Sequence, residues 1–239
     1  MLFRSRALPD VDPARMGFFG ASVGGSIALV AAADPRIADE VQHVVSFGGY
    51  FDALPTFGAV ITHHIEYQDV DETWTPKPHA TKVVTHQIID RVESEHDRDL
   101  LTLWFLDGEP ADAEDVASLT AVGRASYEFL ANRDPAAVEG LIGQLPRSEI
   151  AEMNYLSPRS SIANVKADLI ILHDQGDPYV PYTESRRLQA AVGDRPNATF
   201  DELRLFDHVS PKLDTSPDIV AVDSARLLFR LYQLLLRWE

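Results

Sequence analysis

The chain has 239 residues, of which 45% are hydrophobic and 24% are charged, a composition typical of a folded globular protein. Its formal net charge of −16 argues against nucleic acid as a partner, because phosphate binding requires clustered lysine and arginine. The absence of cysteine excludes a disulfide framework, a thiolate metal site and a cysteine nucleophile. No apolar run reaches the roughly 18 residues expected of a membrane span, and residues 1–10 contain no signal-peptide core.

The first predicted elements are a strand, a tight turn and a helix in immediate succession. Residues 15–19 form a short apolar run, and a glycine-rich turn follows at residues 20–25. Residues 26–33 are mostly helix formers and end at Asp34-Pro35, which stops a helix. A second strand is predicted at residues 41–47.

Two further strands are predicted near the end of the chain, at residues 168–173 and 199–206. A helix at about 183–192 separates them, and a closing helix runs from about residue 222 to 238. Continuous apolar strands that alternate with helices are typical of a mostly parallel sheet with helices on both faces. The sequence therefore predicts an α/β fold with about four strands.

Residues 51–157 have a different pattern, with no clear strand. Helical spacing is found at residues 81–92, 97–105, 113–132 and 135–143. We expect a helical insertion, or cap, over a core made of residues 1–50 and 158–239.

The segment Gly20-Ala21-Ser22-Val23-Gly24 matches the G-x-S-x-G nucleophile elbow, and Gly25 extends it. The serine of an elbow lies on a strained turn between a strand and a helix, so its neighbours two positions away should be nearly free of side chains. The helix that begins there points its first amides toward a developing oxyanion, and the Val23 amide is the predicted oxyanion donor.

Two residues that could activate this serine follow later strands. Asp177 lies in the loop after strand 168–173, and His208 lies just beyond strand 199–206. A serine hydroxyl requires a base, and the base requires a third group that orients it. Because the carboxyl ends of parallel strands meet at one edge, we expect Ser22, Asp177 and His208 to converge there. Asp174 is an alternative acid, and His173 is expected only to pack at a strand end.

These segments resemble the α/β-hydrolase superfamily, near the dienelactone-hydrolase and prolyl-oligopeptidase-like serine hydrolases. The resemblance covers roughly residues 11–50 and 156–239, and rests on the Ser22 elbow and on residues 169–173 leading to Asp177 and Val180-Pro181. It implies a partial α/β-hydrolase fold and a serine hydrolase, most similar to a carboxylesterase, that needs no cofactor and no metal. Relatives commonly have glycine at the position of Asp174.

In that family the elbow follows about the fifth strand, whereas here it begins near residue 15. The resemblance therefore implies an N-terminally truncated chain, without four strands and without the loop that supplies the second oxyanion amide. We expect an unpaired strand edge at residues 16–19 and weak activity of this chain alone.

A small-molecule acyl substrate is the partner that this interpretation predicts. Trp104 and Phe105 in the insertion and Tyr179 beside Asp177 are the candidate substrate-binding residues. The sequence does not distinguish carboxylesterase, thioesterase, lactonase and peptidase, and it leaves compartment and oligomeric state open.

Two other functions are compatible with parts of the pattern. An NAD(P)-dependent oxidoreductase could use the glycine-rich turn, but the G-x-G-x-x-G spacing is not met, and Phe47-Gly48-Gly49 stands where an acidic residue is expected. The chain could also be a non-catalytic hydrolase fragment. A metal at His63, His64, Glu66, Asp69 and Asp71 is a weaker hypothesis, because no recognised ligand spacing is present and a solvated loop explains these residues.

Overall fold

A computed structural model describes residue 12 and residues 15–236. Residues 1–10, where no signal-peptide core is predicted, lie outside the described residues, as do the last two residues of the predicted closing helix. The chain divides into two compact units. The first comprises the residues up to Phe51 and from Leu156 onward, and the second comprises Asp52–Tyr155.

The structure contains both strands and helices along its whole described length. The strands are β1 (Gly17–Ala21), β2 (His43–Phe47), β3 (His64–Tyr67), β4 (Val70–Thr73), β5 (Asp168–Asp174), β6 (Ala198–Leu203), β7 (Phe206–Asp207) and β8 (Ser210–Pro211). The α-helices are α1 (Val23–Ala32), α2 (Ala53–Thr62), α3 (Pro78–Ile89), α4 (Glu95–Phe105), α5 (Ala113–Ser118), α6 (Ala121–Ala131), α7 (Val138–Ile142), α8 (Arg147–Leu156), α9 (Thr183–Val192) and α10 (Pro217–Leu236).

The first unit is built on a four-stranded sheet in the order β1-β2-β5-β6, and every pair in it is parallel. Side chains alternate between its two faces, as the strand period requires. Val44 and Leu169 belong to the same hydrophobic cluster as Leu188 of α9. Val45 and Ile170 belong to a second cluster, on which Leu227 and Leu234 of α10 pack. The predicted parallel α/β sheet with helices on both faces is therefore confirmed.

Both ends of the sheet differ in detail from the sequence prediction. β6 ends at Leu203, because Phe206 and Asp207 leave the sheet and pair antiparallel with Pro211 and Ser210. β1 pairs with β2 and with no other described strand. The side chain of Phe19 on β1 is 72% exposed.

The second unit contains α2 to α8 and has its own hydrophobic core, which includes Ile88, Leu101, Phe129 and Leu130. The prediction that it contains no strand was wrong, because β3 and β4 form an antiparallel hairpin. Of the hairpin's residues, Ile65 and Val70 are the buried apolar ones. Two buried residues in a charged segment give too little periodicity to indicate strands.

The single helix predicted at residues 113–132 is two helices, α5 and α6, that meet at Leu119 and Thr120. The Thr120 hydroxyl accepts a hydrogen bond from the Gly123 amide, which caps α6. The same hydroxyl donates to the fully buried Asp97 carboxylate. The contacts of the Thr120 side chain set the position at which α5 and α6 are separated, and the spacing of hydrophobic residues in the sequence does not reveal this position. None of the described helices combines the length and the apolar composition that a membrane span requires.

Glu149 on α8 is a buried carboxyl group in the second unit. It is 1% exposed, and neither carboxyl oxygen has a hydrogen-bond partner among the described residues. Burial raises the pKa of Glu149 to about 7; the charge of Arg91 opposes this shift, and that of Glu152 adds to it. Arg91 donates a hydrogen bond to Glu152 at 2.6 Å. The protonated form of Glu149 is therefore the one that the fold favours.

Stability of the second unit should fall as pH rises because of Glu149. The pKa of Glu149 is about 7 in the folded chain and 4.5 for an ordinary glutamate, so the stabilising effect is complete below pH 4.5 and is lost as pH rises through 7. Within that window the slope is at most about 1.4 kcal/mol per pH unit. The free energy of unfolding, measured with urea between pH 5 and 8, should depend less on pH in Glu149→Gln than in the parent chain. Glu139→Gln at an exposed position is the control, and parallel pH profiles of Glu149→Gln and the parent would contradict the assignment.

Candidate active site

Ser22 lies on a strained turn between β1 and α1. Its backbone has φ 56° and ψ −136°, a conformation that residues other than glycine seldom adopt. The Ser22 amide donates to the Phe47 carbonyl at 2.7 Å, and the Gly25 amide donates to the Ser22 carbonyl at 2.8 Å. These two bonds fix the turn beside the end of β2. The side chain of Ser22 is half-buried, as expected of a nucleophile that must meet a substrate.

The glycines of the elbow do not all have the same role. A Cβ at Gly20 would lie 2.1 Å from the Gly24 carbonyl oxygen, and a Cβ at Gly25 would lie 2.5 Å from Ser46 Oγ. At Gly24 an added Cβ would meet nothing within 4 Å among the described residues other than its chain neighbours and the backbone of its own helix. The expectation that both neighbours of the serine must lack side chains is therefore correct for Gly20 and wrong for Gly24. The close packing of α1 on β2 makes Gly25 the second steric requirement.

Val23 is the first residue of α1, a ten-residue helix. Its amide is one of the first helix amides, which have no partner within the helix. The partial positive charge at a helix N-terminus stabilises an anion placed there. The Val23 side chain is 45% exposed.

Asp177 and His208 form a buried pair in the same unit. The His208 Nδ1–H donates to Asp177 Oδ2 at 2.6 Å, and these residues are 7% and 1% exposed, respectively. Asp177 Oδ1 accepts from the backbone amides of Tyr179 at 2.8 Å and Val180 at 3.1 Å. Because the carboxylate can only accept, the proton of a neutral His208 lies on Nδ1, and Nε2 is left as the acceptor.

A second histidine, His173, also approaches the Asp177 carboxylate. Its Nε2–H donates to the Val180 carbonyl at 3.0 Å and lies 3.3 Å from Asp177 Oδ2. The residue is 1% exposed, and its Nδ1 has no hydrogen-bond partner among the described residues. The sequence predicted only a packing role for His173. The sequence signal for this contact is the spacing of four residues between His173 and Asp177, and such a spacing does not predict a contact when a loop separates the two residues.

The Asp177 carboxyl group is held ionised. Burial raises its pKa, but hydrogen bonds from His173 and His208 and the charges of these histidines outweigh burial, and the resulting pKa is about 2. An ionised Asp177 is the form that can orient an imidazole and stabilise its charged state.

The position of His208 is constrained on two sides. Gly48 follows β2 with φ 64°, and a Cβ there would lie 3.1 Å from His208 Nδ1 and 3.3 Å from Asp177 Oδ2. The ring of Tyr179 lies on the imidazole, with centroids 4.9 Å apart and planes tilted by 35°. His208 itself has φ 64°. A glycine at position 48 thus leaves the space that the Asp177–His208 pair occupies.

Ser22 and the Asp177–His208 pair lie at the same edge of the sheet. The Ser22 amide is bonded to Phe47, and the next residue, Gly48, borders the pair. Among the described residues, no hydrogen bond joins the Ser22 hydroxyl to His208. Such bonds are often long until a substrate is bound, so the Ser22–His208 contact remains a prediction.

Asp174 is directed to other partners. Its Oδ1 accepts from Lys212 Nζ at 2.9 Å and from the Gly176 amide at 2.8 Å, and its Oδ2 accepts from the Phe206 amide at 2.7 Å. Asp177 is therefore the carboxylate that contacts His208, and Asp174 binds the residues around it.

The aromatic candidates Trp104 and Phe105 lie in the second unit, where Trp104 is 7% exposed. Both contact the ring of Tyr127, with centroid distances of 5.5 and 5.8 Å. Their substrate-binding role stays a prediction. At the β3–β4 hairpin His64 lies 3.1 Å from Asp71, and the described residues contain no group of three or more side chains arranged to hold a metal.

Comparison with known proteins gives solved structures of low sequence identity and two short sequence matches. No family model matches the chain. Two proteins of Mycobacterium tuberculosis, each provisionally named a phosphoribosyl transferase, are 50% identical over 54 residues, which is 22% of this chain and 12% of theirs. The chain is similar to a meta-cleavage product hydrolase from Pseudomonas fluorescens, with 16% identity and a TM-score of 0.39 over 95% of this chain and 66% of that one. An acetylester hydrolase from Corynebacterium glutamicum has 13% identity and a TM-score of 0.37 over 90% and 61%.

The chain thus spans 61–66% of the length of these two solved structures. At these TM-scores the likeness assigns no activity, so the site is interpreted from its own geometry. The first unit has the parallel sheet, the strained strand–serine–helix turn and the later strand-end loops of an α/β-hydrolase fold. At the level of the fold, this agrees with the resemblance seen in the sequence.

The elbow glycines give a first test of the site's geometry. We expect Gly20→Ala to destabilise the chain by roughly 1–3 kcal/mol, because its Cβ would overlap the Gly24 backbone. Gly24→Ala should be neutral or slightly stabilising, since its site is open and alanine favours a helix. Thermal unfolding of both variants measures this difference, and equal destabilisation would contradict the geometry.

Gly48 gives a second test, which is specific to the Asp177–His208 pair. Gly48→Ala should shift the NMR resonance of the His208 Nδ1–H, because the new Cβ would crowd this nitrogen. Gly193→Ala is the matched control, because Gly193 has φ 66° and open space around it. Both variants should lose about 1–3 kcal/mol of stability through backbone strain. A His208 resonance that is unchanged in Gly48→Ala would show that the pair is not packed against this residue.

Proposed function

We propose that the chain carries the catalytic residues of a serine hydrolase that cleaves an ester or a related acyl bond. The observation that supports the proposal most directly is the 2.6 Å hydrogen bond between His208 Nδ1 and Asp177 Oδ2. This bond leaves His208 Nε2 as a base, at the sheet edge where the strained elbow holds Ser22. The three residues follow one another along the chain as Ser, Asp and His, the order used in α/β-hydrolases.

In the proposed reaction His208 Nε2 takes the proton of the Ser22 hydroxyl as Ser22 Oγ attacks the substrate carbonyl. The ionised Asp177 stabilises the imidazolium that results. The Val23 amide donates to the oxyanion of the tetrahedral intermediate, and the N-terminus of α1 adds its favourable field. His208 then gives its proton to the leaving group, and the acyl-enzyme forms. Water, activated by the same imidazole, hydrolyses it. The reaction requires no cofactor and no metal.

The proposal extends to the organisation of the chain. Residues 1–50 and 158–239 form the hydrolase core, and residues 51–157 form the cap. Among the candidate residues we propose Tyr179 as the one that contacts the substrate, because its ring lies against His208 in the same unit. A small acyl compound is the substrate class, and a panel of chromogenic acyl esters would distinguish esterase from thioesterase, lactonase and peptidase preferences.

Labelling by a fluorophosphonate tests the nucleophile directly. The parent chain should be labelled, and Ser22→Ala should not be, because Ser22 Oγ is the atom that reacts with the probe. Ser26→Ala is the control: Ser26 lies on the same helix but is fully buried, and its hydroxyl donates to the Tyr50 carbonyl at 2.8 Å. Equal labelling of Ser22→Ala and the parent would rule out the proposed nucleophile.

Asp177→Asn tests the acid. The amide cannot stabilise the imidazolium and favours the wrong tautomer of His208, so the labelling rate should fall by about 10⁴-fold. A variant that labels at the parental rate would show that Asp177 is not the acid of the site.

A further inference from the structure

The His208 hairpin, residues 206–211, has little of its own to hold it in place. Its two strands, β7 and β8, contain two residues each and form two residue pairs. A short two-stranded hairpin is marginal in water at best. His208 lies in its turn with φ 64°, a conformation that persists only when the surroundings enforce it. Contacts from outside the hairpin must therefore fix the imidazole.

One buried carboxylate contacts both ends of this hairpin. Asp174, the last residue of β5, is fully buried. Its Oδ2 accepts from the Phe206 amide at 2.7 Å, where the hairpin begins. Its Oδ1 accepts from Lys212 Nζ at 2.9 Å, directly after the hairpin ends. The Phe206 ring also packs edge-on against Phe47, with centroids 4.9 Å apart.

Asp174 holds the loop of the acid as well. Its Oδ1 accepts from the Gly176 amide at 2.8 Å, and its backbone carbonyl accepts from the Asp177 amide at 3.1 Å. A Cβ at Gly176 would lie 2.8 Å from Lys212 Nζ, so the glycine leaves the space that the ammonium group occupies. Residue 174 thus links the loop of Asp177 to the hairpin of His208.

We propose that Asp174 and Lys212 are positioning residues, whose ion pair fixes the His208 hairpin against the Asp177 loop and so sets the distance between imidazole and carboxylate. This inference rests on the proposed function, and it assigns to the pair a role that acts through His208 and Asp177. Lys212 is partly exposed, with 28% of its side chain accessible, while the Asp174 carboxylate is not. Removing the lysine therefore leaves a buried carboxylate without its counterion, and it removes one of the two contacts that Asp174 makes with the ends of the hairpin.

The functional consequence follows from the precision that proton transfer requires. A displacement of about 1 Å in a catalytic group costs roughly 10²-fold in rate. Loss of the Asp174–Lys212 pair should allow the hairpin to move by such an amount while the parallel sheet, which does not depend on it, stays folded. We therefore expect the labelling rate at Ser22 to fall by more than the loss in the free energy of unfolding accounts for.

The experiment compares Asp174→Asn, Lys212→Gln and Lys212→Arg in the full chain. The matched control is Asp201→Asn, which removes a similarly placed ion pair between β6 and Arg230 of α10, away from the two loops. Two readouts are used: the rate of fluorophosphonate labelling at Ser22, and the NMR resonance of the His208 Nδ1–H, assigned with His208→Gln. Thermal unfolding reports the stability of each variant.

We expect Asp174→Asn and Lys212→Gln to label about 10- to 10²-fold more slowly and to broaden or shift the His208 resonance. Lys212→Arg keeps the charge and should restore both readouts, and Asp201→Asn should lose stability with little change in either. Parental labelling and an unchanged resonance in Lys212→Gln would overturn the inference. So would equal defects in Lys212→Gln and Lys212→Arg, because charge would then be irrelevant.

Failure of the proposed function gives a different result. If the parent chain and Ser22→Ala are equally labelled, Ser22 is not the nucleophile, and the NMR resonance of the His208 Nδ1–H alone tests the positioning role. Loss of this resonance in Lys212→Gln then supports the role. An unchanged resonance overturns it. If Asp174→Asn does not fold, Lys212→Gln and Lys212→Arg decide, since both leave the Phe206 and Gly176 bonds to Asp174 intact.

Discussion

The hydrogen bond between His208 and Asp177 is the interaction on which the rest of the site depends. A neutral imidazole can carry its proton on either nitrogen, and a carboxylate at Nδ1 makes Nε2 the base. At 2.6 Å the bond is short and buried, and against the effect of burial the imidazoles of His173 and His208 keep the Asp177 carboxyl group ionised. Gly48 and Tyr179 then border the pair, so that the imidazole has little freedom to turn away.

Contacts from neighbouring elements offset the backbone strain of this arrangement. Ser22 and His208 both have positive φ values, and such conformations each cost about 1–3 kcal/mol. Ser22 lies at the end of the parallel strand β1, whereas His208 lies in the turn of the antiparallel β7–β8 hairpin, where Asp177, Gly48 and Tyr179 contact it. At both residues the strain is thus held by contacts from neighbouring elements.

Asp174 and Asp177 show how contacts assign different roles to identical side chains. Both are buried, and they are three residues apart at the end of one strand. The Asp177 oxygens meet imidazole and amide donors, whereas the Asp174 oxygens meet an ammonium group and the amides that begin two neighbouring loops. Asp177 therefore contacts the imidazole of His208, whereas Asp174 contacts the chain on either side of it.

The sequence alone determined the apolar runs of β1, β2 and β5, the elbow around Ser22 and the position of Asp177 in the loop after β5. These features follow from side-chain period and from residue type at short spacing. The tertiary structure decided the rest. That His173 meets Asp177, that Gly25 and not Gly24 is sterically required, and that Asp174 joins two loops are facts about residues brought together by strand pairing. The hairpins β3–β4 and β7–β8 were missed for the same reason, since strands of two to four residues take their stability from contacts distant in the chain and leave almost no periodic signal.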